Sequence, residues 1–382
     1  MGKMLMLASV PSMIGAFNMD NIDILMDKGY EIHVACDFRD RSVWSDEKIR
    51  ELVRDLKKMG VICHQIDFTR NPVNFQRHIK ACKQLRKLLR KEKFDFVHCH
   101  APIASIITRY VAKKENCKVI YTAHGFHFYK GAPIQNWIFY PIEKYFSKYT
   151  DILVTINDGD YEIAATKFKA KKVYKIPGVG LDNEAIHKHF IEKEEKRKQL
   201  GIPTDAFVIL SVGNLYHVKN QDVIIKAVAK INDKNVYYLI AGDGEKRDVY
   251  QKMIQEYGME DNIILLGYRE DVSELCYAAD LFAHPSKREG LGMAPLEAMA
   301  AGLPILTSNV GGINSYSVNG KTGYKFAPDD VDGFVRGIQK LKNSPKLMKK
   351  MGRHNIKEAE KFDISVTKKK MSDIYDSIDK NQ

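Results

Sequence analysis

Short apolar runs alternate with amphipathic stretches along nearly the whole chain, and that alternation predicts strands separated by helices. In the first half "KMLMLAS", "YEIHVAC", "VICHQIDF", "FDFVHCH", "KVIYTAH" and "DILVTIN" are the strand candidates. "VPSMIGAF" reads as a loop after the first strand, and "NMDNIDILMDKG" as a helix ended by Gly29. In the second half "FVILSVG", "VYYLIAGDG", "NIILLGY", "LFAHPS" and "PILTSN" read as strands. "NQDVIIKAVAKIN", "EKRDVYQKMIQEYG", "VSELCYAA" and "APLEAMAAG" read as helices. β-rich runs of this kind, with helices between them, suit a parallel sheet covered on both faces. The mixed-charge segment 184–204 carries no strand signal and reads as the bridge between halves. It is entered through "IPGVGLDNE", where Pro177, Gly178 and Gly180 break any regular element.

The pattern therefore predicts an α/β protein with two Rossmann-like, doubly wound domains facing a central cleft. The expected limits are 1–181 for the first domain and 182–361 for the second, with 362–382 a C-terminal helix packing back on the first. Ligands of such sheets bind beyond the carboxyl ends of the strands, so the cleft is the expected site. Length agrees, because 382 residues with 45% hydrophobic positions exceed one ordinary core.

Charge narrows the class of partner. Lys and Arg number 60 against 48 Asp and Glu, a formal charge of +12. A basic surface suits nucleic acid, an anionic membrane or phosphorylated small molecules. The six cysteines, Cys36, Cys63, Cys82, Cys99, Cys117 and Cys276, form no CxxC pair and no disulfide spacing. They point to a reduced, cytoplasmic compartment. The apolar start of the chain is interrupted by Ala, Ser, Pro and Gly and reads as a first strand rather than a signal segment. No stretch approaches the roughly 20 apolar residues of a spanning helix. The expectation is a cytoplasmic protein, peripheral on the inner face of the cytoplasmic membrane.

The candidate chemistry lies in "SKREGLGMAPLEAMAAGLPILTSNVGG", residues 286–312. Glu289 falls in a loop after a strand, and Glu297 inside the helix that follows. Gly302 suits the position just past that helix, with Pro304 beyond it. Free N–H groups at a helix start attract phosphate. Gly290 and Gly292 let a ligand approach the backbone closely. A carboxylate at 297 can accept two hydrogen bonds from a ribose diol. Its apolar neighbours Ala294, Leu296 and Met299 argue against a merely solvated role.

"EGLGMAPLEAMAAGLPILTS" resembles the E-x7-E signature of the retaining glycosyltransferases of family 4, which have the GT-B fold. The resemblance extends over nearly the whole chain. "VGNLYHVKNQD" is similar to that family's diphosphate clamp, and "LIAGDGE" and "LLGYREDV" to its nucleotide-side loops. "TAHGFHFYKGAP" resembles the variant found in transferases that build bacterial surface polysaccharides on lipid carriers. The resemblance implies that Glu289 holds the hydroxyls of the donor sugar and Glu297 the ribose. It implies that Lys219 neutralises the diphosphate, that backbone from Gly290 through Leu291 and Gly292 binds phosphate, and that backbone at Tyr268 meets the base. His124 would contact the donor sugar near the reacting carbon. The family usually carries an arginine where Asn214 stands, so Lys219 is left with more of the charge, and Arg269 or Lys287 would compensate. After the first strand the family often has paired glycines. Here Gly15 stands alone, and donor contact and a plain turn are both open readings of it.

The function so implied is transfer of a hexosyl unit, N-acetylated, from a UDP-sugar to a lipid-linked saccharide in capsule or exopolysaccharide synthesis. No cofactor and no obligate metal are implied, since Lys219 and the helix start replace a cation. The alternatives are an inverting transferase or sugar-nucleotide epimerase of the same fold, or a non-catalytic basic nucleotide-binding protein. Nucleic acid is not an expected partner: no recognised module is present, and two glutamates oppose a phosphate backbone.

Two other features stand out. "VHCHAP" and "AHGFHF" bring together His98, His100, His124 and His127, but without zinc spacing. His98 reads as a core residue and His124 as a strand-end residue placed for chemistry. Segment 70–93 holds nine Lys/Arg and one Glu. Phe75, Ile79, Cys82, Leu85 and Leu89 fall on one helical face, and Arg77, Lys80, Lys87 and Lys91 on another. That face suits either solvent or an anionic lipid surface, and "NWIFYPIEKYFSKY" adds aromatic residues suited to a lipid interface.

Overall fold

A computed structural model of the chain describes residues 2–129 and 131–379. Lys130, within the quoted "TAHGFHFYKGAP", and the last three residues of the expected C-terminal helix lie outside the described residues. The chain divides into two compact units. One is formed by the residues up to Val179 together with the chain from Ser365 onward, the other by Gly180–Ile364.

In the first unit the apolar runs form β1 (Lys3–Leu7), β2 (Glu31–Cys36), β3 (Ile62–Gln65), β4 (Phe96–His100), β5 (Lys118–Ala123), β6 (Ile152–Thr155) and β7 (Lys172–Lys175). They pair in parallel in the order β3-β2-β1-β4-β5-β6-β7. In the second unit β8 (Phe207–Val212), β9 (Val236–Ala241), β10 (Ile263–Gly267), β11 (Leu281–His284), β12 (Ile305–Ser308) and β13 (Gly323–Phe326) pair as β10-β9-β8-β11-β12-β13. Both orders turn back at the first strand of the unit, the doubly wound arrangement, and helices cover the faces. The point of reversal lies between β1 and β4 in one unit and between β8 and β11 in the other.

Burial explains why these runs are nearly continuous in apolar residues rather than alternating. Every residue of β4, β11 and β12 is buried. The edge strands β7 and β13 are half-exposed and carry lysines, and these are the strands that the apolar pattern does not reveal. The segment read as a loop after β1 is instead a helix, Pro11–Phe17. Proline is tolerated in a first helical turn, where its missing N–H has no partner to lose. Gly15 is helical too, and a Cβ there would lie 2.4 Å from the Trp44 ring, so the glycine makes room for the indole. The bridge segment 184–204 holds two short helices, Asn183–Lys188 and Lys193–Gln199.

The C-terminal helix Ile364–Asp379 returns along the first unit. Met371, Ile374, Tyr375 and Ile378 are buried there. Tyr375 Oη lies 2.9 Å from His98 Nδ1, and Lys118 Nζ donates to the carbonyl of Ile378 at 2.9 Å.

Candidate active site

The reversal point of the second sheet brings together two loops. One follows β8 and holds Gly213, Asn214 and Lys219; the other follows β11 and holds Ser286, Glu289, Gly290 and Gly292. They are tied to each other. The Lys287 N–H donates to Val218 O at 2.8 Å. Asn220, with a left-handed φ of 60°, donates its amide to Pro285 O at 2.9 Å and Pro328 O at 2.8 Å. Asparagine tolerates that conformation better than most residues.

Across this junction Lys219 Nζ meets Glu289 Oε2 at 2.6 Å. The same oxygen lies 3.1 Å from His284 Nε2, which in turn is 3.2 Å from Ser286 Oγ. Burial alone would raise the Glu289 carboxyl. The hydrogen bond from His284 and the charge of Lys219 outweigh it and hold the group well below the usual carboxylate range. Lys219 remains about a quarter exposed, so its ammonium is accessible. Its side chain runs beside Gly213, where a Cβ would stand 3.9 Å from Lys219 Cε.

Gly292 has φ +87° and caps the helix Met293–Ala300, which ends as read, with Gly302 at φ +84°. No side chain caps the helix start. Its first N–H groups have no intrahelical partner and are available to an anion. Leu291 is buried, which anchors the loop between the glycines. Gly311 and Gly312 seat that loop from below: the Gly312 N–H donates to Glu289 O at 3.0 Å, and a Cβ on Gly312 would lie 1.8 Å from Gly290 O. Tyr316 Oη, buried beneath Gly292, has no hydrogen-bond partner among the described residues.

Glu297 lies one turn into the helix. It is half-buried, and burial pushes its carboxyl up. Its carboxylate has no hydrogen-bond or ion-pair partner among the described residues. A desolvated acid without a partner is costly, and a ligand hydroxyl is the kind of group that offsets the cost.

The remaining candidates differ in setting. Asn214 is exposed, and its carbonyl accepts from Tyr216 N–H at 2.9 Å and from Gln221 Nε2 at 3.3 Å. Tyr268, just after β10, is 73% exposed, open to a flat partner. Arg269 is forked onto Asp271, with Nε 2.7 Å from Oδ1, and Lys196 shares the same carboxylate. Lys287 stands 3.5 Å from Asp329. Sequence reasoning did not find Asn220, His284, Gly312 or Tyr316. Asn220, Gly312 and Tyr316 act on residues distant in sequence, and His284 meets Glu289 and Ser286 only once the loop after β11 folds over it, so local spacing carries no mark of them.

In the first unit β4 and β5 end side by side. His98 is fully buried between Tyr375 Oη and Thr122 Oγ1, at 2.9 and 2.8 Å, which makes it a core residue. His100 Nδ1 lies 3.0 Å from His124 Nε2. Burial lowers all three imidazoles, His98 to about 3 and His124 to about 4, so they are neutral near pH 7. His124 is the most exposed of the three and the one at a strand's carboxyl end. Among the described residues no group of three His, Cys, Asp or Glu is arranged to hold a metal ion.

The comparisons with known proteins give the family. Residues 192–358 match the family model of glycosyl transferases group 1, and residues 11–157 that of the glycosyl transferase 4-like family. Over 381 residues the chain is 32% identical to EpsD of Bacillus subtilis, which bears a glycosyltransferase name, spanning 98% of this chain and 96% of EpsD. The chain belongs to the family 4 glycosyltransferases. The transferase is also 27% identical, over 94% of its length and 92% of the relative's, to an Escherichia coli UDP-Gal:α-D-GlcNAc-diphosphoundecaprenol α-1,3-galactosyltransferase. Its fold is similar to that of Anabaena HepE, crystallised in complex with UDP. The TM-score is 0.78 at 18% identity, with 98% of this chain and 100% of that one covered. It is a retaining, GT-B enzyme by family, and no helix among its described residues is long and apolar enough to cross a membrane.

Proposed function

We propose that the transferase moves a hexosyl unit, an N-acetylated one, from a UDP-sugar to a lipid-linked saccharide in the synthesis of a bacterial surface polysaccharide. The observation that carries this reading is the Lys219–Glu289 contact of 2.6 Å at the β8/β11 reversal, just before the helix that holds Glu297, which has no partner among the described residues. A cation, an uncapped helix start and two separate carboxylates match a nucleoside diphosphate sugar from end to end. The names of the relatives support the donor and acceptor classes, since the Escherichia coli enzyme uses UDP-Gal and a diphosphoundecaprenol-linked sugar.

In this account Lys219 exchanges Glu289 for the diphosphate when the donor arrives. The charge it supplies, with the N–H groups from Gly290 to Gly292, stabilises the leaving diphosphate. Glu289, freed of the lysine and still held by His284, accepts hydrogen bonds from the sugar hydroxyls. Glu297 accepts from the ribose, and backbone at Tyr268 meets the base. Retention follows when the acceptor hydroxyl attacks the anomeric carbon on the face the diphosphate leaves. The bond from the acceptor oxygen to that carbon forms, the bond to phosphate oxygen breaks, and the acceptor proton passes to the departing phosphate oxygen. Neutral His124 contacts the sugar beside the reacting carbon. The enzyme works at the inner face of the cytoplasmic membrane, where its acceptor is held.

A panel of UDP-sugars incubated with purified enzyme and lipid-linked acceptors, with products read by mass, tests this. One UDP-sugar is expected to add a single N-acetylhexosamine mass to the lipid and release UDP. Consumption of a GDP- or ADP-sugar instead, or a donor changed without transfer, contradicts it. The second outcome is the signature of an epimerase.

A further inference from the structure

The first unit contains an apolar pocket of about 370 Å³, within the size range of about 300–1,000 Å³ usual for small-molecule sites. Phe75, Ile103, Ile106, Phe126, Phe139 and Ile142 form much of its wall. It opens at the carboxyl ends of β4 and β5, since Pro102 and Gly125 also border it, and Gly125 directly follows His124. Two exposed apolar segments flank the opening. Val73 is 70% and Phe75 69% exposed on one side, Ile134 87% and Ile138 66% on the other. Exposed apolar surface around an apolar pocket marks a binding site rather than a solvated face.

The wall is not wholly apolar, and its polar parts are informative. Glu143, at the pocket, is neutralised by Arg109 Nη2 at 2.8 Å, a buried ion pair, so no free acid repels an anion there. The helix Pro102–Lys114 begins at the wall with no side-chain cap. Its free N–H groups favour negative charge. His78, partly buried with its Nε2 3.0 Å from Asn71 O, also borders the pocket, and its Nδ1 has no partner among the described residues. An anionic group at the rim and a hydrocarbon chain within satisfy both halves of the site.

We propose that this pocket binds the first isoprenoid units of a lipid diphosphate acceptor, with the diphosphate at the start of the helix Pro102–Lys114. The proposal rests on the reading of the acceptor as lipid-linked. It assigns the pocket to the chain that anchors the acceptor saccharide, delivering that saccharide to the end of β5 at His124.

Farnesyl diphosphate, a soluble isoprenoid diphosphate, is the probe, titrated by calorimetry into the full chain beside inorganic diphosphate. Ile106→Trp fills the pocket, and Ile142→Asp places a charge at its partly exposed rim, where folding is least at risk. Both variants are expected to weaken farnesyl diphosphate binding tenfold or more and to raise KM for a lipid-linked acceptor. UDP affinity should stay as in the wild type for both variants, and inorganic diphosphate binding should stay so for Ile106→Trp, whereas Ile142→Asp should weaken it. Wild-type binding of farnesyl diphosphate no tighter than of inorganic diphosphate overturns the proposal. So does complete displacement of the probe by anionic phospholipid vesicles, which gives the pocket to a phospholipid chain. Variants that leave the acceptor KM unchanged while transfer proceeds overturn the pocket alone. Pocket-dependent probe binding without any sugar transfer keeps the pocket and defeats the transferase account of the acceptor.

Discussion

Lys219 and Glu289 stand 70 positions apart in sequence and 2.6 Å apart in space, and neither is free to do its proposed task while paired with the other. The pair keeps two charges satisfied until a ligand offers each a better partner. With Asn214 in place of the family's arginine, more of the proposed clamp charge falls on Lys219, while Arg269 is forked onto Asp271. Lys219→Ala is therefore expected to lower turnover by about 10²–10³-fold, the scale of losing one donor to a developing anion. Adding Asn214→Arg should restore part of it, because Asn214 is exposed and its neighbour Gly213 lies against the lysine side chain. Steady-state kinetics check both, and near-normal turnover in Lys219→Ala contradicts the clamp. Glu289 and Glu297 were legible because spacing and glycines mark them. His284 was not, since a histidine at a strand end has no distinctive neighbours until Glu289 folds over it.

At the scale of elements, the glutamate loop is built by its surroundings more than by its own sequence. Gly312 shows this, because a side chain there meets the carbonyl of Gly290. Gly312→Ala is expected to cost about 1–3 kcal/mol by overpacking, with a melting shift of about 2–4 °C per kcal/mol for a unit of this size. UDP affinity should fall at least tenfold if the displaced loop carries the N–H groups proposed to bind phosphate. Calorimetry and a melting curve read both effects, and unchanged UDP affinity contradicts the seating role. Elements with continuous apolar runs were legible, as were the helix Met293–Ala300 and its glycine end. The edge strands β7 and β13 were not, because half-exposed strands with lysines lack an apolar run. Pro11 and Gly15 disguised a helix as a loop, since residues that break helices in isolation serve here as a first-turn proline and a place for Trp44.

Over the whole molecule the positive charge of +12 overstates what is available to partners. Along the helix Phe75–Glu92, Arg77 is paired with Asp37 and Lys80 with Asp67, and Arg86 and Arg90 both engage Glu115. The expected cationic face is thus partly neutralised within the first unit, and Phe75 and Ile79 on its apolar face are exposed rather than in the core. Pairing of this kind joins residues far apart in sequence, which is why the charge run alone left solvent and an anionic lipid surface both open. What the sequence made legible at this scale was the doubly wound α/β class, because alternating apolar runs and helices leave few other topologies.

If the two glutamates serve different ends of one donor, UDP affinity measured by calorimetry in the wild type, Glu289→Gln and Glu297→Gln separates their roles. UDP has no sugar, so Glu289→Gln removes nothing that UDP touches, and it releases Lys219 toward the diphosphate. Affinity in that variant should equal or exceed that of the wild type. Glu297→Gln removes a charge-assisted ribose contact and should weaken UDP by about 1–3 kcal/mol. Equal losses in both variants, or a loss in Glu289→Gln alone, would contradict the division of labour at this site.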